Sequence, residues 1–443
     1  MKLSMTESDS NQNPTTPFQS WWIFLGALPA FLPLVQYRED FAKYFFMGDE
    51  WAQLQQIDDW GYWTWVFAFF GENFMPVFKL VWSAILFLGD GSYFFFVLIQ
   101  FLLHASVVFL LGYLLRQWKM SWFVVFFSQC TLALNYTHIE ILMQSIQMSN
   151  LLSYSCLLLL AIFVSNRVIS QKGFSAVSCV LIAFLSLMGA LTFSRGLLIG
   201  TALFATFFLI AVLKKQKAGE WLAPALSALI PCLGVGIITA VAIFGKTGSS
   251  SEGIQWVEVG RHFFYQVSLN PLYQQLHDGQ IGPAFAWQLL IVNFTMLAAG
   301  IFCAKKEQRP LLIFFIFFFI GNGLLLALGR SHMSIDTTAS WRYQYGVLLC
   351  FVPTAGLILN RVINFIPQKQ LRLIPQILSV LWVSVYVYDH WEHHSPSWSD
   401  SRGSQIRAAA SAENIDSEAH TISRFSGVKD GRALELIEKY NLH

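Results

Sequence analysis

"PVFKLVWSAILFLGDG", residues Pro76 to Gly91, decides how many times this chain crosses a membrane. Its apolar part ends at Leu88, carries Lys79 within 13 residues, and stops at Gly89-Asp90-Gly91. A transmembrane helix needs roughly 20 apolar residues to cross a hydrocarbon core of about 30 Å. The stretch is therefore read as interfacial or re-entrant. Working outward from it, eleven longer apolar runs predict spans over 21–37, 92–115, 121–137, 141–165, 174–193, 196–213, 221–244, 285–303, 311–329, 345–363 and 371–388. A composition of 55% hydrophobic, 16% aromatic and only 12% charged residues, with mean hydropathy +0.51, supports an all-α polytopic membrane protein. Barrel strands would be shorter and would alternate.

The basic residues test this reading, because Lys and Arg in short loops stay cytoplasmic. With eleven spans, alternate loops hold Arg116 and Lys119; Arg167 and Lys172; Lys214, Lys215 and Lys217; Lys305, Lys306 and Arg309; Arg361, Lys369 and Arg372, 13 in all. The opposite loops hold Arg38, Lys43, Arg195, Lys246, Arg261, Arg330 and Arg342, seven in all. The bias predicts a cytoplasmic N-terminus and an extracytoplasmic C-terminal tail from Asp389. Counting 76–88 as a span would move Arg38, Lys43 and the first acidic loop to the basic side. The expected organisation is a disordered cytoplasmic tail over 1–20, a transmembrane domain over 21–388 with outer loops 38–91 and 245–284, and a small tail over 389–443. The first twenty residues lack the basic n-region of a cleaved signal. The six cysteines all fall in apolar runs and read as packing residues. A net charge of +2 with no basic patch of interleaved aromatics sets nucleic acid aside.

Outer loop 38–74 concentrates seven carboxylates against two basic residues, and Phe41 to Phe74 carries 13 aromatics. Such density suits helices in the headgroup plane, with the acids facing water or a cavity. In Gly48-Asp49-Glu50, Asp49 stands at a predicted helix start. A partly desolvated carboxylate there can take a proton from an attacking hydroxyl; the competing reading is an ordinary N-cap. Asp58-Asp59 either assists substrate or metal, holds the loop by hydrogen bonds, or is the solvated end of that short helix, with the structural readings ahead.

Polar residues also mark other outer ends. Asn135, His138 and Glu140 lie at one turn, with Gln144, Gln147 and Asn150 following; Glu140 and Gln147, seven apart, can share a helix face. Such a stripe lines a cavity or bonds helix to helix. Arg195, in Ser194-Arg195-Gly196, either snorkels to lipid phosphate or faces inward to an anion. The loop GRSHMSIDTTASWRYQYG, Gly329 to Gly346, sets Arg330 and Arg342 around His332, Asp336 and Tyr343. Guanidinium groups bind phosphate bidentately, and two converging on one pocket would hold a pyrophosphate or phosphodiester; the alternative is a pair of interfacial anchors. GKTGSSSEG, Gly245 to Gly253, lacks P-loop spacing and a preceding strand. Val257 to His277 predicts one or two amphipathic surface helices; Arg261, His262 and His277 either contact lipid headgroups or, the preferred reading, are ordinary surface residues. His390, His393 and His394 allow zinc but read better as a solvated interfacial segment. Gly431 to His443 predicts a short amphipathic helix.

The order of several elements resembles GT-C-type glycosyltransferases, in particular bacterial proteins similar to protein O-mannosyltransferases and aminoarabinose transferases. The resemblance rests on Gly48-Asp49-Glu50-Trp51, Glu72-Asn73-Phe74-Met75-Pro76, a short helix ending at Leu88-Gly89, a leucine-rich span with His104 closing on Arg116, Ser194-Arg195-Gly196 and Ser340-Trp341-Arg342-Tyr343. It covers most of 21–388. Two departures stand out: Asn73 precedes Pro76 where many relatives carry a His-containing element, and Trp341 interrupts Ser-Arg-Tyr. The resemblance implies a polyprenyl-phosphate-linked sugar donor, inverting transfer on the outer face to a lipid, glycan or protein acceptor, and a bacterial inner or plasma membrane. It implies Asp49 as base, Glu50 as its neighbour at the catalytic position, and Arg342 with Arg330 or Arg195 on the lipid phosphate. Asp58, Asp59, Glu140 and Tyr343 complete the expected substrate contacts. Metal dependence varies across such proteins, which leaves Mg or Mn as a candidate cofactor. A lipid-linked glycan flippase would show repeats and broken midplane helices, and a non-catalytic membrane subunit would fit the two departures.

Overall fold

Each of the eleven apolar runs folds as helix in the computed structural model, which describes residues 21–41, 43–214, 218–246, 255–272, 282–333, 335, 341–393, 403–410, 428 and 430–443. The N-terminal tail, most of GKTGSSSEG, His277, Asp336, Ser340 and His394 lie outside the described residues. Helix α1 (Trp21–Ala27) passes through a 3-10 turn into α2 (Leu32–Gln36) and α3 (Arg38–Phe41). The first loop holds α4 (Asp49–Trp60), α5 (Tyr62–Phe67) and α6 (Pro76–Leu88). The bundle continues with α7 (Tyr93–Gln117), α8 (Trp122–Ala133), α9 (Ile139–Met143), α10 (Met148–Ile169), α11 (Ala176–Thr192), α12 (Leu197–Lys214) and α13 (Ala218–Lys246). After α14 (Trp256–Ser268) come α15 (Pro283–Cys303), α16 (Arg309–Arg330), α17 (Trp341–Phe365) and α18 (Leu373–His393), then Gly403–Ala410 and Asp430–Tyr440.

Among the described residues, seven helices are long and apolar enough to cross a membrane: Tyr93–Gln117, Ser145–Ile169, Ser194–Leu213, Glu220–Val241, Pro283–Cys303, Arg309–Arg330 and Arg342–Phe365. The other four expected spans are shorter apolar helices, Trp21–Gln36, Trp122–Ala133, Ala176–Thr192 and Leu373–Val385. The chain is an integral multi-pass membrane protein.

Helix α6 does not carry the chain across. Glu50, before it, accepts a hydrogen bond from the Tyr93 hydroxyl, after it, at 3.1 Å. Arg432 on the C-terminal helix meets Asp58, while Asn441 meets Asp90. Both ends of α6 are therefore on one face. The same contacts sort the loops: Glu72 pairs with Arg330 and Glu140 with Arg342 at one end of the bundle, while Trp118 meets Gln308 and Ser121 meets Asn360 at the other. Lys79 on α6 is fully buried, donating to the carbonyls of Trp65 at 2.6 Å and Ala68 at 2.9 Å.

Two sequence expectations are corrected. The aromatics of the first loop do not all lie in the headgroup plane: Phe41, Tyr44, Phe45, Phe46, Trp51 and Trp65 are buried, with Trp60, Trp63 and Phe67 exposed. They pack on α6 and α7, where the indole N–H groups of Trp51, Trp65 and Trp82 reach Phe46 O, Gln53 Oε1 and Ser145 Oγ at 2.7, 2.7 and 2.8 Å. Buried indoles need such acceptors. The fourth span is also not one continuous helix from 141, because it breaks after α9 at Gln144, which is extended (φ −113°, ψ 117°). Gln100 captures the carbonyls of Ile141 and Gln144 at 2.6 and 2.7 Å, which takes acceptors a continuous helix would use. Glu140 and Gln147 consequently sit on different elements and not on one helix face.

Candidate functional site

Three breaks between spans bring the site together on the face that carries α4. The first is the broken turn over 135–147. The second is Ser194–Gly196, a 3-10 turn folded back on α11 so closely that a Cβ on Gly196 would stand 1.7 Å from Gly189 O, which only glycine permits. The third is the start of α17.

Glu140, almost fully buried, is tied to Arg342 twice. Its Oε2 accepts from the Arg342 backbone N–H at 3.1 Å, and its Oε1 lies 3.4 Å from the guanidinium. The Arg342 side chain also donates to Tyr343 Oη at 3.4 Å and lies 5.1 Å from that ring's centroid. Arg195 approaches the same ring at 5.0 Å. Its Nη1 donates to Tyr154 Oη at 2.9 Å and to Arg342 O at 3.4 Å. Although only 2% exposed, Arg195 has no carboxylate partner among the described residues, and its Nε has no acceptor. Two guanidiniums thus share Tyr343, with Glu140 compensating one.

Asp49 is the exposed first residue of α4 and interacts electrostatically with Arg342. The N-cap is Gly48, with φ +53° and no side-chain cap bond. The Asp49 carboxylate is therefore free of the capping role that the sequence allowed. Glu50, next in sequence, turns the other way and is 1% exposed. Its carboxylate accepts from the N–H of Met47 at 2.8 Å, from Tyr93 Oη at 3.1 Å and from the N–H of Ser145. Burial outweighs these bonds and pushes its pKa up to about 7.

The remaining expected contacts lie apart. Asp58 meets Arg432 and Lys439, and Asp59 meets Arg432 at 2.6 Å, so both carboxylates hold the C-terminal helix. These cations hold the Asp58 carboxyl below its usual range. Arg330 pairs with Glu72 at 3.9 Å. Behind the cluster, Tyr154 stacks on Tyr345 at 5.1 Å, and Tyr345 Oη lies 2.9 Å from His104 Nδ1. Tyr154 and Tyr345 were missed in the sequence because tyrosine is unremarkable in an apolar run. Tyr345 is nevertheless three residues past Arg342, within reach along one helix face. Among the described residues no group of three or more His, Cys, Asp or Glu is arranged to hold a metal ion. A cavity of 710 Å³ lies elsewhere, lined by Trp22, Trp122, Phe123 and Phe126.

The fold of the chain is similar to that of solved archaeal oligosaccharyltransferase structures. Its fold is similar to an oligosaccharyltransferase from Archaeoglobus fulgidus tethered with an acceptor peptide containing the NVT sequon (TM-score 0.54, 11% identity, covering 92% of this chain and 59% of that one). It is also similar to the A. fulgidus oligosaccharyltransferase AglB in complex with an inhibitory peptide and a dolichol-phosphate (TM-score 0.50, 12% identity, 92% and 60%). An apo form of the A. fulgidus oligosaccharyltransferase matches at TM-score 0.50 and 11% identity, again 92% and 60%. The chain therefore spans about three fifths of the length of these proteins. No protein-family model matches the sequence, and no curated protein matches it.

Proposed function

We propose that this protein transfers a sugar from a polyprenyl-phosphate-linked donor to a lipid, glycan or protein acceptor, on the extracytoplasmic face that carries Asp49. The observation that carries the reading is Arg195, a buried guanidinium without a carboxylate partner among the described residues, sharing Tyr343 with Arg342. A buried charge needs a counter-charge, and a lipid phosphate at headgroup depth supplies one. The fold supports the reading, and the A. fulgidus structure with dolichol-phosphate supports the choice of donor chemistry.

In the transfer, an acceptor hydroxyl or amide attacks the anomeric carbon. The new bond forms as the bond from that carbon to the phosphate oxygen breaks, with inversion. Asp49 takes the acceptor's proton, and the polyprenyl phosphate leaves onto Arg342 and Arg195. Glu140 keeps Arg342 oriented. A divalent ion such as Mg or Mn fits only as one held by Asp49 together with the donor's phosphate oxygens, since Mg is commonly bound by one or two carboxylates plus substrate phosphates; it would neutralise phosphate charge. The bias of basic residues supports a cytoplasmic N-terminus.

The test is transfer of radiolabelled sugar from a panel of polyprenyl-phosphate sugars by the purified protein in membranes, against Asp49→Asn. Removing a general base costs about 10²- to 10⁴-fold in rate, so the variant should lose transfer and keep donor binding. Full transfer by the variant would remove Asp49 from its role. Movement of labelled lipid across proteoliposomes without transfer would establish a flippase instead.

A further inference from the structure

At the end of the bundle opposite Asp49, two adjoining cavities of 260 and 110 Å³ share Trp118, Lys119, Lys305 and Gln308 as lining. Helix α7 separates this end from the Glu50–Tyr93 contact by about 36 Å, at 1.5 Å per residue. Lys119 and Lys305 project from separate loops, and Arg361, at the far end of α17, lines the smaller cavity. Among the described residues none of the three forms an ion pair with a carboxylate. Glu307 is the acidic residue lining the larger cavity.

Basic residues at this end are expected from topology alone, but topology does not require a built cavity. Here the loops are stitched together. Buried Gln308 donates to Trp118 O at 2.8 Å and accepts from the Lys305 N–H at 2.7 Å, while Asn360 accepts from the Ser121 N–H at 3.0 Å. Lys119 is held at φ +58°, a left-handed conformation that side chains other than glycine adopt at a cost. Trp118, 2% exposed, lines both cavities, and its indole N–H is buried without an acceptor among the described residues. Such an orphaned donor is uncommon in native folds and points to an absent partner.

We infer that this is an anion site for a phosphate group, built from Lys119, Lys305, Arg361 and the Trp118 N–H, on the face opposite the proposed transfer site. Lysine binds phosphate as a point charge, and the indole adds one directional donor. The volumes leave ample room for a phosphate group. The phosphate can belong to an anionic lipid headgroup or be free in solution.

The probes are dioleoylphosphatidylglycerol against dioleoylphosphatidylcholine, read by native mass spectrometry on the purified full chain, and inorganic phosphate, read as a shift in unfolding midpoint. The variants are Lys119→Gln with Lys305→Gln, and Trp118→Phe, which keeps the ring and removes the N–H. The expected result is preferential retention of the anionic lipid or a phosphate-dependent rise in midpoint, abolished in the double variant and weakened about tenfold in Trp118→Phe, as for loss of a hydrogen bond to a charged group. Retention of the lipid unaffected by added phosphate identifies a headgroup; stabilisation by phosphate, with displacement of the lipid, identifies a free anion. Equal binding by the variants, or no response to either probe in the unaltered chain, overturns the inference.

Discussion

Glu50→Gln tests whether the carboxylate beside Asp49 holds the first loop against the bundle. The folded protein raises the Glu50 pKa from 4.5 to about 7, chiefly by burial. Between those two values the folded state keeps a proton that the unfolded state has released. Stability on this account is greatest below pH 4.5, falls as pH rises to about 7, and is level above it. At about 1.4 kcal/mol per pKa unit, the difference amounts to about 3 kcal/mol at most. Glutamine cannot titrate, so its variant lacks this slope. It also retains one oxygen for the Ser145 N–H and the Tyr93 hydroxyl but turns an amide N–H₂ towards the Met47 N–H, a mismatch that costs about 1–3 kcal/mol. The variant should therefore unfold at lower temperature than the unaltered protein at pH 5, and the gap should close or reverse by pH 8. The assay is the unfolding midpoint by intrinsic fluorescence in detergent, reported by buried Trp51, Trp65 and Trp82. A gap independent of pH would show that Glu50 does not titrate in this range and would refute the reasoning.

Arg342→Lys should raise the donor KM about tenfold or more by losing the bidentate geometry; an unchanged KM in steady-state transfer would place the phosphate elsewhere. Reversing Arg432 to Asp should expose the C-terminal helix to limited proteolysis, and adding Asp58→Arg should restore protection; no change on reversal would mean that the helix docks without this pair. Because the Asp58 pKa is lowered from 3.8, the pair's contribution is full above pH 3.8 and is lost below it as Asp58 protonates. Lys79→Met leaves the carbonyls of Trp65 and Ala68 without their donor and should lower stability by about 1–3 kcal/mol. In the unaltered protein, burial depresses the Lys79 pKa to about 8, so stability should rise with pH between 8 and 10.5 and lose that rise in the variant, as thermal unfolding across that range would show.

The membrane helices were legible because apolar runs and basic loops are local properties of the chain. The outer-end arginines and Glu140 were legible for the same reason, since a charge at the end of an apolar run stands out without knowledge of the fold. What a side chain faces was not. Asp49 and Glu50 are neighbours with the same chemistry, yet adjacent helix positions point about 100° apart, and the packing of α4 on Tyr93 and Ser145 decides which is buried. The partners of Asp58 and Asp59 lie more than 370 residues away on the C-terminal helix. The interruption at Gln144 was hidden because the group that captures its carbonyl is Gln100, on another helix.

The charges around Tyr343 constrain the proposed chemistry. The formal charges of Asp49, Glu140, Arg195 and Arg342 sum to zero, but both carboxylates act on Arg342, and among the described residues Arg195 has no carboxylate beside it. A polyprenyl-phosphate sugar is a phosphodiester and adds one negative charge. When the sugar leaves, the phosphate becomes a monoester and gains a second negative charge, while Asp49 loses its own by taking the acceptor's proton. The total does not change, but the charge moves from Asp49 to the phosphate. Asp49 attracts Arg342 before the reaction and ceases to do so as it protonates, which frees that guanidinium for the phosphate as the leaving charge grows. An interaction that strengthens along the reaction lowers the barrier, whereas one of constant strength does not. Neutralising Asp49 by substitution makes the same release permanent, so Asp49→Asn should bind polyprenyl phosphate at least as tightly as the unaltered protein while failing to transfer. Weaker binding by that variant in a lipid-binding titration would mean that Asp49 holds the donor and does not receive the proton.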